Sequence, residues 1–160
     1  MKIAWPIAFA VTTLGLSLAW LAGQEKTPAR PPIPAEWRGY VTDTAQLPIE
    51  KSAWGSLQWI CNGKLSPGAE QTVGLAHILP GQHNPVHYHP NCEEVLHVLS
   101  GHGLHSFDGR TIALTPGMTI RIPAGTKHNM VNTGPDPIVT LVSFSSGDRK
   151  TVFLEEKQAK

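Results

Sequence analysis

Residues 81–101, GQHNPVHYHPNCEEVLHVLSG, place two histidines one residue apart and follow them with paired carboxylates. On a β-strand, residues i and i+2 face the same side, so His87 and His89 point together and Tyr88 points away. A short turn and a carboxylate at the start of the next strand would bring an oxygen ligand to the same two imidazoles. Imidazole together with carboxylate suits Fe, Mn, Ni, Cu, Co or Zn. The stretch therefore indicates a transition-metal site, although a His-x-His pair also occurs on ordinary strands.

A second stretch, GMTIRIPAGTKHNMVN at residues 117–132, strengthens this interpretation. Pro123 removes a backbone donor and Gly125 permits unusual dihedral angles, so the turn that contains them is well specified. His128 is expected to begin a strand just after this turn. A third imidazole delivered in this way would complete a set of three histidines and one carboxylate.

The rest of the chain after residue 54 reads as short strands. Apolar runs are interrupted by turn signals such as NGKLSPG, SGHG and SSGDRK. Asp108-Gly109, between LHSF and RTIAL, is a strong signal for a two-residue hairpin. No segment shows the sustained helical periodicity and caps of an amphipathic helix. Many short, evenly spaced strands predict an all-β antiparallel sandwich or barrel.

The two histidine stretches resemble the two signature motifs of the cupin superfamily. The first motif is a Gly, five residues, His-x-His, three or four residues, Glu, six residues and a Gly. The second is a Gly, five residues, Pro-x-Gly, two residues, His, three residues and an Asn. The matching residues are Gly81, His87, His89, Glu94 and Gly101 in the first motif, and Gly117, Pro123, Gly125, His128 and Asn132 in the second. The resemblance covers about residues 75–144.

The resemblance implies a small single-domain cupin of the conserved-barrel type, which is an antiparallel jelly-roll β-barrel with a metal inside. The ligands of one divalent transition metal per chain would be His87, His89, Glu94 and His128. Glu93 would face away, because side chains alternate along a strand. Glu94 would also be a catalytic residue, since a carboxylate ligand can leave the metal to accept a proton from bound substrate.

Two classes of function stay open. We favour a mononuclear metalloenzyme that acts on a small molecule, and cupins with this ligand set include dioxygenases, isomerases and lyases. The alternative is a non-catalytic, exported module that holds a small polar ligand. A purely structural metal site is disfavoured, because structural sites are usually closed. A narrow pocket would favour chemistry, whereas a wide mouth with no acid or base near the metal would favour binding.

The other histidines are interpreted as structural. His97 is out of phase with Glu94 along the strand, so it should face away from the metal. Three more lie near glycines at the rims of the barrel, where exposure is expected, namely His83, His102 and His105. Among these, His105 is the alternative candidate for the pocket.

Several further side chains have both a structural and a functional interpretation. Cys92 is expected to be a packed thiol rather than a redox group, and a disulfide with Cys61 is an alternative in an exported protein. Arg121 is a candidate for binding an anionic substrate. Tyr40 and Tyr88 are candidate bases for a lyase, although strand parity points Tyr88 outwards. The tryptophans ahead of the motifs are interpreted as packing groups at a lid or subunit contact, namely Trp37, Trp54 and Trp59.

The first part of the chain differs from the rest. Residues 1–23, MKIAWPIAFAVTTLGLSLAWLAG, have an early lysine and then an apolar stretch over residues 3–22. This pattern is typical of a secretory signal peptide or an uncleaved membrane anchor, so the protein is expected to be periplasmic or extracellular, or tethered to a membrane. Residues 24–36, QEKTPARPPIPAE, contain four prolines and predict an extended linker. The cupin domain is expected over residues 37–160.

The charge composition of the chain indicates which classes of binding partner to expect. The chain has 160 residues, a formal net charge of +1 and no run of Lys or Arg. Phosphate binding needs a basic patch, so a nucleic-acid partner is not expected. A small-molecule ligand or substrate is expected instead. We also predict a homodimer, because residues 56–60, SLQWI, form an apolar strand with little else to pack on, and cupins commonly cover such faces by pairing.

Overall fold

The computed structural model describes residues 30–154, and every element reported below belongs to the compact unit Ile33–Lys160. The expected leader, residues 1–23, and the first part of the expected linker, residues 24–29, lie outside the described residues. Within residues 30–154, we find no helix with the length and apolar character needed to cross a membrane.

The described part of the chain is almost entirely β-structure. Two short 3₁₀ turns, Ala35–Trp37 and Thr44–Gln46, precede the strands. The strands are β1 (Glu50–Ser52), β2 (Gly55–Cys61), β3 (Thr72–Ile78), β4 (His87–Tyr88), β5 (Glu94–Ser100), β6 (Gly103–Phe107), β7 (Arg110–Leu114), β8 (Thr119–Ile122), β9 (His128–Asn132), β10 (Ile138–Phe144) and β11 (Val152–Phe153).

The strands form two antiparallel sheets. One has six strands in the order β1-β2-β3-β10-β5-β8, and the other has five in the order β11-β4-β9-β6-β7. Consecutive strands often lie in different sheets, so the chain crosses repeatedly between the two layers of a jelly roll. The predicted all-β, antiparallel jelly-roll barrel is confirmed.

The core lies between the sheets and follows the period of two along each strand. On β5, Leu96 and Val98 are buried while Val95 and Leu99 are exposed. Glu94 is in phase with the buried pair, so its carboxylate points into the barrel. The buried apolar side chains form one cluster, made of Ile78, Cys92, Leu96, Val98, Leu114, Met130, Ile138, Val142 and Phe144.

The Asp108-Gly109 hairpin forms as predicted between β6 and β7. Both turn residues have positive φ, 46° for Asp108 and 76° for Gly109. A two-residue turn of this kind matches the right-handed twist of the strands that it joins. It sets the register of β6 and β7 at Phe107 opposite Arg110.

The packed thiol predicted at Cys92 is confirmed, and the three tryptophans ahead of the motifs differ in burial. Cys92 is a buried thiol of the core, and Cys61 and Cys92 are both free, so they form no disulfide. Trp54 and Trp59 pack against the core cluster. Trp37 does not, because its side chain is 54% exposed.

Candidate metal centre

Four side chains from three strands and one loop converge inside the barrel. His87 lies on β4, His89 directly follows that strand, Glu94 begins β5 and His128 begins β9. All four are buried, and one ligand atom from each lies within 4.8 Å of the other three. The backbone pairing of His87 with His128 brings the two histidine motifs together. This is the convergence that the motif spacing predicts.

A backbone carbonyl orients each of the three imidazole rings. The Nδ1–H groups of His87, His89 and His128 donate to the carbonyls of Pro85, Lys150 and Thr126, each at 2.8 Å. The hydrogen therefore resides on Nδ1, and the Nε2 lone pair of the neutral ring is free to coordinate. Three rings held in this tautomer suit metal ligation.

The carboxylate of Glu94 faces two of these rings. Its Oε2 atom lies 3.2 Å from Nε2 of His89 and 3.0 Å from Nε2 of His128. Because the Nδ1–H groups are already used by the carbonyls, a neutral ring presents only a lone pair to the carboxylate. A proton or a cation between the two groups removes this repulsion. The donor set of three imidazoles and one carboxylate could hold a first-row divalent metal.

Burial and neighbouring charges shift the pKa values of Glu94, His128 and His87 in different directions. Burial alone would raise the pKa of Glu94, but hydrogen bonds and charge from His128 and His89 outweigh it and lower the pKa to about 2. Burial alone would lower the pKa of His128, yet Glu94 outweighs it and raises the pKa. For His87, burial followed by the charge of His128 lowers the pKa to about 4. The cluster therefore holds an ionised carboxylate beside a neutral His87 at pH 7.

The turn of the second motif supports both halves of the cluster. Gly125 has a φ of 80°, a conformation that glycine adopts without a steric penalty. Its N–H donates to the carbonyl of His89 at 2.8 Å. The next carbonyl along the chain, that of Thr126, accepts from His128. One turn therefore contacts two of the candidate ligands.

The last residue of the second motif is structural rather than part of the cluster. The side-chain amide of Asn132 donates to the carbonyls of Ile78 and Asp136, both at 2.9 Å. Its Oδ1 accepts from the N–H of Gly134 at 2.9 Å. Asn132 thus ties the turn before β10 to the end of β3.

A small cavity adjoins the cluster. Its volume is about 50 Å³, and its walls combine the cluster residues His87, Glu94 and His128 with a mostly apolar surface. The other lining residues include Trp54, Asn84, Leu96, His105, Asn129, Thr140, Val142 and Phe144. A cavity needs roughly 10–15 Å³ to hold one water molecule, so this one has room for a small ligand.

His105 contradicts the expectation of exposure at the rim. Its side chain is 0% exposed, and its ring lies parallel to that of His128, with 5.8 Å between the centroids. Burial followed by the charge of His128 lowers the pKa of His105 to about 4. The expectation was wrong because LHSF contains apolar residues in both phases of the strand, so parity alone could not decide which face is buried. The two other rim histidines, His83 and His102, are exposed.

The remaining candidate residues lie outside the cluster, as predicted for some of them and not for others. His97 faces away from the cluster, as predicted, and its Nδ1 lies 2.7 Å from the hydroxyl oxygen of Thr119. Glu93 also faces away, and its carboxylate pairs with Arg121 at 2.6 Å. The Arg121 side chain is 66% exposed, so the structure does not bring it to the cluster as an anion-binding group. Tyr40 is 82% exposed and is likewise no part of the site.

Sequence reasoning missed a second cation, Arg149, which follows β10. Its guanidinium carbon lies 4.4 Å from the ring centroid of Trp59 and 4.9 Å from that of Phe144. The guanidinium also donates to the hydroxyl of Thr151, which lies 3.3 Å from Nδ1 of His89. Burial lowers the pKa of Arg149. No motif marks this residue, because its position depends on how the chain returns after the last long strand.

Arg149 lines an open groove on the other side of Phe144. The groove has a volume of about 1110 Å³, and its charged lining residues are Glu50, Lys64, Glu70, Asp148 and Arg149. Phe144 contacts the ring of His89, with 4.8 Å between centroids, and lines the small cavity. The aromatic ring therefore stands between the groove and the candidate metal centre.

The fold and the buried cluster agree with a match to a known family. Residues 74–144, which run from β3 to the end of β10, match the family model described as Cupin domain. These residues form a cupin domain. The match contains every member of the cluster, and the cupin motifs account for the positions of all four side chains.

Several known proteins resemble this chain. Germin-like protein 3-7 of Oryza sativa subsp. japonica is 30% identical over 140 residues, which cover 78% of this chain and 60% of the relative. Polyketide synthase CurC of Streptomyces cyaneus is 27% identical over 99 residues, covering 62% of this chain and 64% of the relative. The chain thus spans less than two thirds of the length of these curated relatives.

A solved structure shares the architecture. The oxalate decarboxylase of Lactobacillus farciminis, in its formate complex, matches with a TM-score of 0.64 and 25% identity. The match covers 69% of this chain and 34% of that chain.

Proposed function

We propose that this chain is an exported, mononuclear metalloenzyme that acts on a small molecule. The proposal is carried by one observation: three imidazoles, each held in the Nδ1–H tautomer, converge with one carboxylate in a buried cluster. The ligands are His87, His89, Glu94 and His128. Bound there, a divalent transition metal would activate dioxygen or polarise a substrate oxygen as a Lewis acid.

The shape of the cavity supports chemistry rather than storage of a ligand. The space beside the cluster is about 50 Å³, and apolar side chains such as Leu96, Val142 and Phe144 form much of its wall. A narrow, mostly apolar site excludes bulk water and strengthens electrostatic interactions with a bound substrate. A binding module for a larger ligand would need a wider mouth at the cluster.

Glu94 has the properties of a proton acceptor in this site. Its pKa of about 2, which results from His128 and His89 overcoming the effect of burial, keeps the carboxylate ionised at neutral pH. A carboxylate that shifts away from its imidazole neighbours can take a proton from a substrate in the cavity.

Small carboxylic acids are the first substrate class to test. One of the similar solved structures is an oxalate decarboxylase in a formate complex. Molecules of that size match a cavity of about 50 Å³.

Export is proposed from residues 1–23. Their basic start and apolar stretch are typical of a signal peptide or membrane anchor. An exported enzyme with a metal and two free thiols would work outside the reducing cytosol. The buried environment of Cys92 protects that thiol from oxidation, because burial raises its pKa and keeps it protonated.

The experiment has two stages. The full chain, purified without added metal, is analysed for its metal content, and one divalent transition metal per chain is expected. The loaded protein is then screened for oxygen uptake and for products from small carboxylic acids, phenols, thiols and keto-acids. A wild-type chain that takes up no metal overturns the proposal. A chain that holds metal and binds such compounds without consuming any of them supports the non-catalytic binding module instead.

A further inference from the structure

His105 is the most completely buried polar side chain beside the cluster, and the cupin motifs do not contain it. It lies in the middle of β6, where Gly103 and His105 are buried while Leu104 is 41% exposed. Its backbone partners are Ile112 on β7 and Met130 on β9. The inner face of the five-stranded sheet therefore presents this imidazole to the cavity.

Neither ring nitrogen of His105 has a hydrogen-bond partner among residues 30–154. The backbone of Ser106 is near enough to favour the protonated ring slightly, but it lies outside hydrogen-bonding geometry. Buried polar groups in folded proteins almost always have a partner, because an unpaired one loses its hydration without compensation. The missing partner must come from something that occupies the cavity.

The His105 ring lies beside the four clustered side chains but is not one of them, so it could contact a small molecule bound in the cavity. The four side chains whose ligand atoms lie within 4.8 Å of one another do not include His105. Its ring is parallel to that of His128, with 14° between the planes, so it flanks this candidate ligand. A neutral imidazole offers one donor and one acceptor.

We propose that His105 is a ligand-binding residue, which hydrogen-bonds an oxygen atom of a small carboxylate held in the cavity beside His87, Glu94 and His128. The inference rests on the proposed function, because it takes the cavity as the place where substrate binds. His105 would hydrogen-bond an oxygen atom of the substrate, and the four proposed metal ligands stay the same. Asn84, Asn129 and Thr140 also line the cavity, and Oδ1 of each asparagine already accepts a hydrogen bond within the protein.

The test uses the full chain loaded with cobalt(II), whose visible absorption reports ligand binding, and formate as the probe. His105→Phe removes both hydrogen-bonding nitrogens, and His105→Gln keeps one donor and one acceptor. His102→Phe is the matched control, because His102 is exposed just before β6. We expect formate affinity to fall about tenfold in His105→Phe and to stay within about threefold of wild type in the other two variants. Cobalt content should be the same in all four proteins.

Two results in the cobalt experiment would overturn the inference. Wild-type formate affinity in His105→Phe would show that the ring only packs in the core. Loss of cobalt from His105→Phe would show that the ring is itself a metal ligand.

A crystal structure of the wild-type chain as purified gives a second test that needs no metal. We expect an ordered oxygen atom, from water or a small anion, within hydrogen-bonding distance of a His105 ring nitrogen. A dry cavity around His105 would overturn the inference. A wild-type chain that binds no cobalt but shows this oxygen would overturn the proposed metalloenzyme while supporting the role of His105.

Discussion

Oε2 of Glu94 lies 3.0 Å from Nε2 of His128, while Nδ1–H of the same ring donates to the carbonyl of Thr126. Both ring nitrogens of His128 therefore have a partner: Nδ1 contacts the backbone and Nε2 contacts the carboxylate. In the absence of a metal, this contact is favourable when His128 carries a second proton. The raised pKa of His128, where Glu94 overcomes the opposing effect of burial, agrees with that arrangement. A metal would replace this proton.

Glu94 is expected to tune the site more than it anchors the ion. Replacing it with Gln keeps the size, removes the charge and makes a poor base. Glu94→Gln should bind metal about tenfold more weakly, in line with typical losses at tuned metal sites. Any turnover should fall by roughly 100-fold or more, the usual scale for lost acid–base catalysis. Metal titration and turnover measured on the same preparation check this. Equal losses in both would show that Glu94 is only a ligand, and full activity would favour the binding module.

The two histidines of the first motif are expected to be essential for metal binding. The double variant His87→Ala/His89→Ala removes two of three imidazoles and should hold no metal after dialysis. The matched control is His97→Ala/His102→Ala, because both of these rings lie outside the cluster. The control should keep one metal per chain, as measured by elemental analysis. Full occupancy in the first variant would mean that the ligand assignment is wrong.

Metal affinity is expected to fall as the pH is lowered, because a coordinating imidazole must be neutral. The pKa of His128 is raised above 6.5, because the effect of Glu94 outweighs that of burial. A proton therefore begins to compete with the metal for His128 above pH 6.5. His87 has a pKa of about 4, set by burial and by His128, and adds a second proton only in stronger acid. Glu94 stays ionised down to about pH 2, since its neighbouring histidines overcome burial.

From roughly pH 6 down to pH 4.5, the apparent affinity should therefore fall at least about tenfold per pH unit, the signature of at least one competing proton. Competition titrations with a chelating dye would measure it. Glu94→Gln removes the charge that raises the pKa of His128, so the onset should move to lower pH in this variant. An affinity that does not depend on pH over this range would contradict the assignment of His128 as a ligand.

Export is expected to depend on the apolar stretch of residues 3–22. A fusion of residues 1–30 to a reporter that is active only outside the cytoplasm should be active. The same fusion without residues 3–22 is the control and should be silent. Reporter protein that stays in the cytosol with the full leader would count against export.

A homodimer is predicted to form through the outer face of the six-stranded sheet. On β5, Val95 is 37% exposed and Leu99 is 48% exposed on this face. Val95→Lys/Leu99→Lys should convert the dimer to a monomer, because charges would be buried without partners. Leu104→Lys is the matched control, since Leu104 is 41% exposed on the other sheet. Sedimentation of a chain that begins at Gln24 decides the matter, and a wild-type monomer at micromolar concentration would refute the prediction.

The sequence by itself determined the architecture and the four side chains of the cluster. Strand parity is a local property, so the His-x-His spacing was enough to place His87 and His89 on one side. The Asp108-Gly109 turn was predictable for the same reason, because its positive φ values depend on the two residues themselves. The motif spacings extended this to Glu94 and His128, each at the start of a strand.

Only the tertiary structure decided what surrounds those side chains. The carbonyl that orients His89 belongs to Lys150, and the cation that packs on Trp59 belongs to Arg149, both far along the chain from their partners. The burial of His105 was undecided in the sequence, because both phases of its strand contain apolar residues. Such contacts form when the two sheets pack against each other. They depend on many pairs of residues that are far apart in the sequence, so no local sequence pattern predicts them.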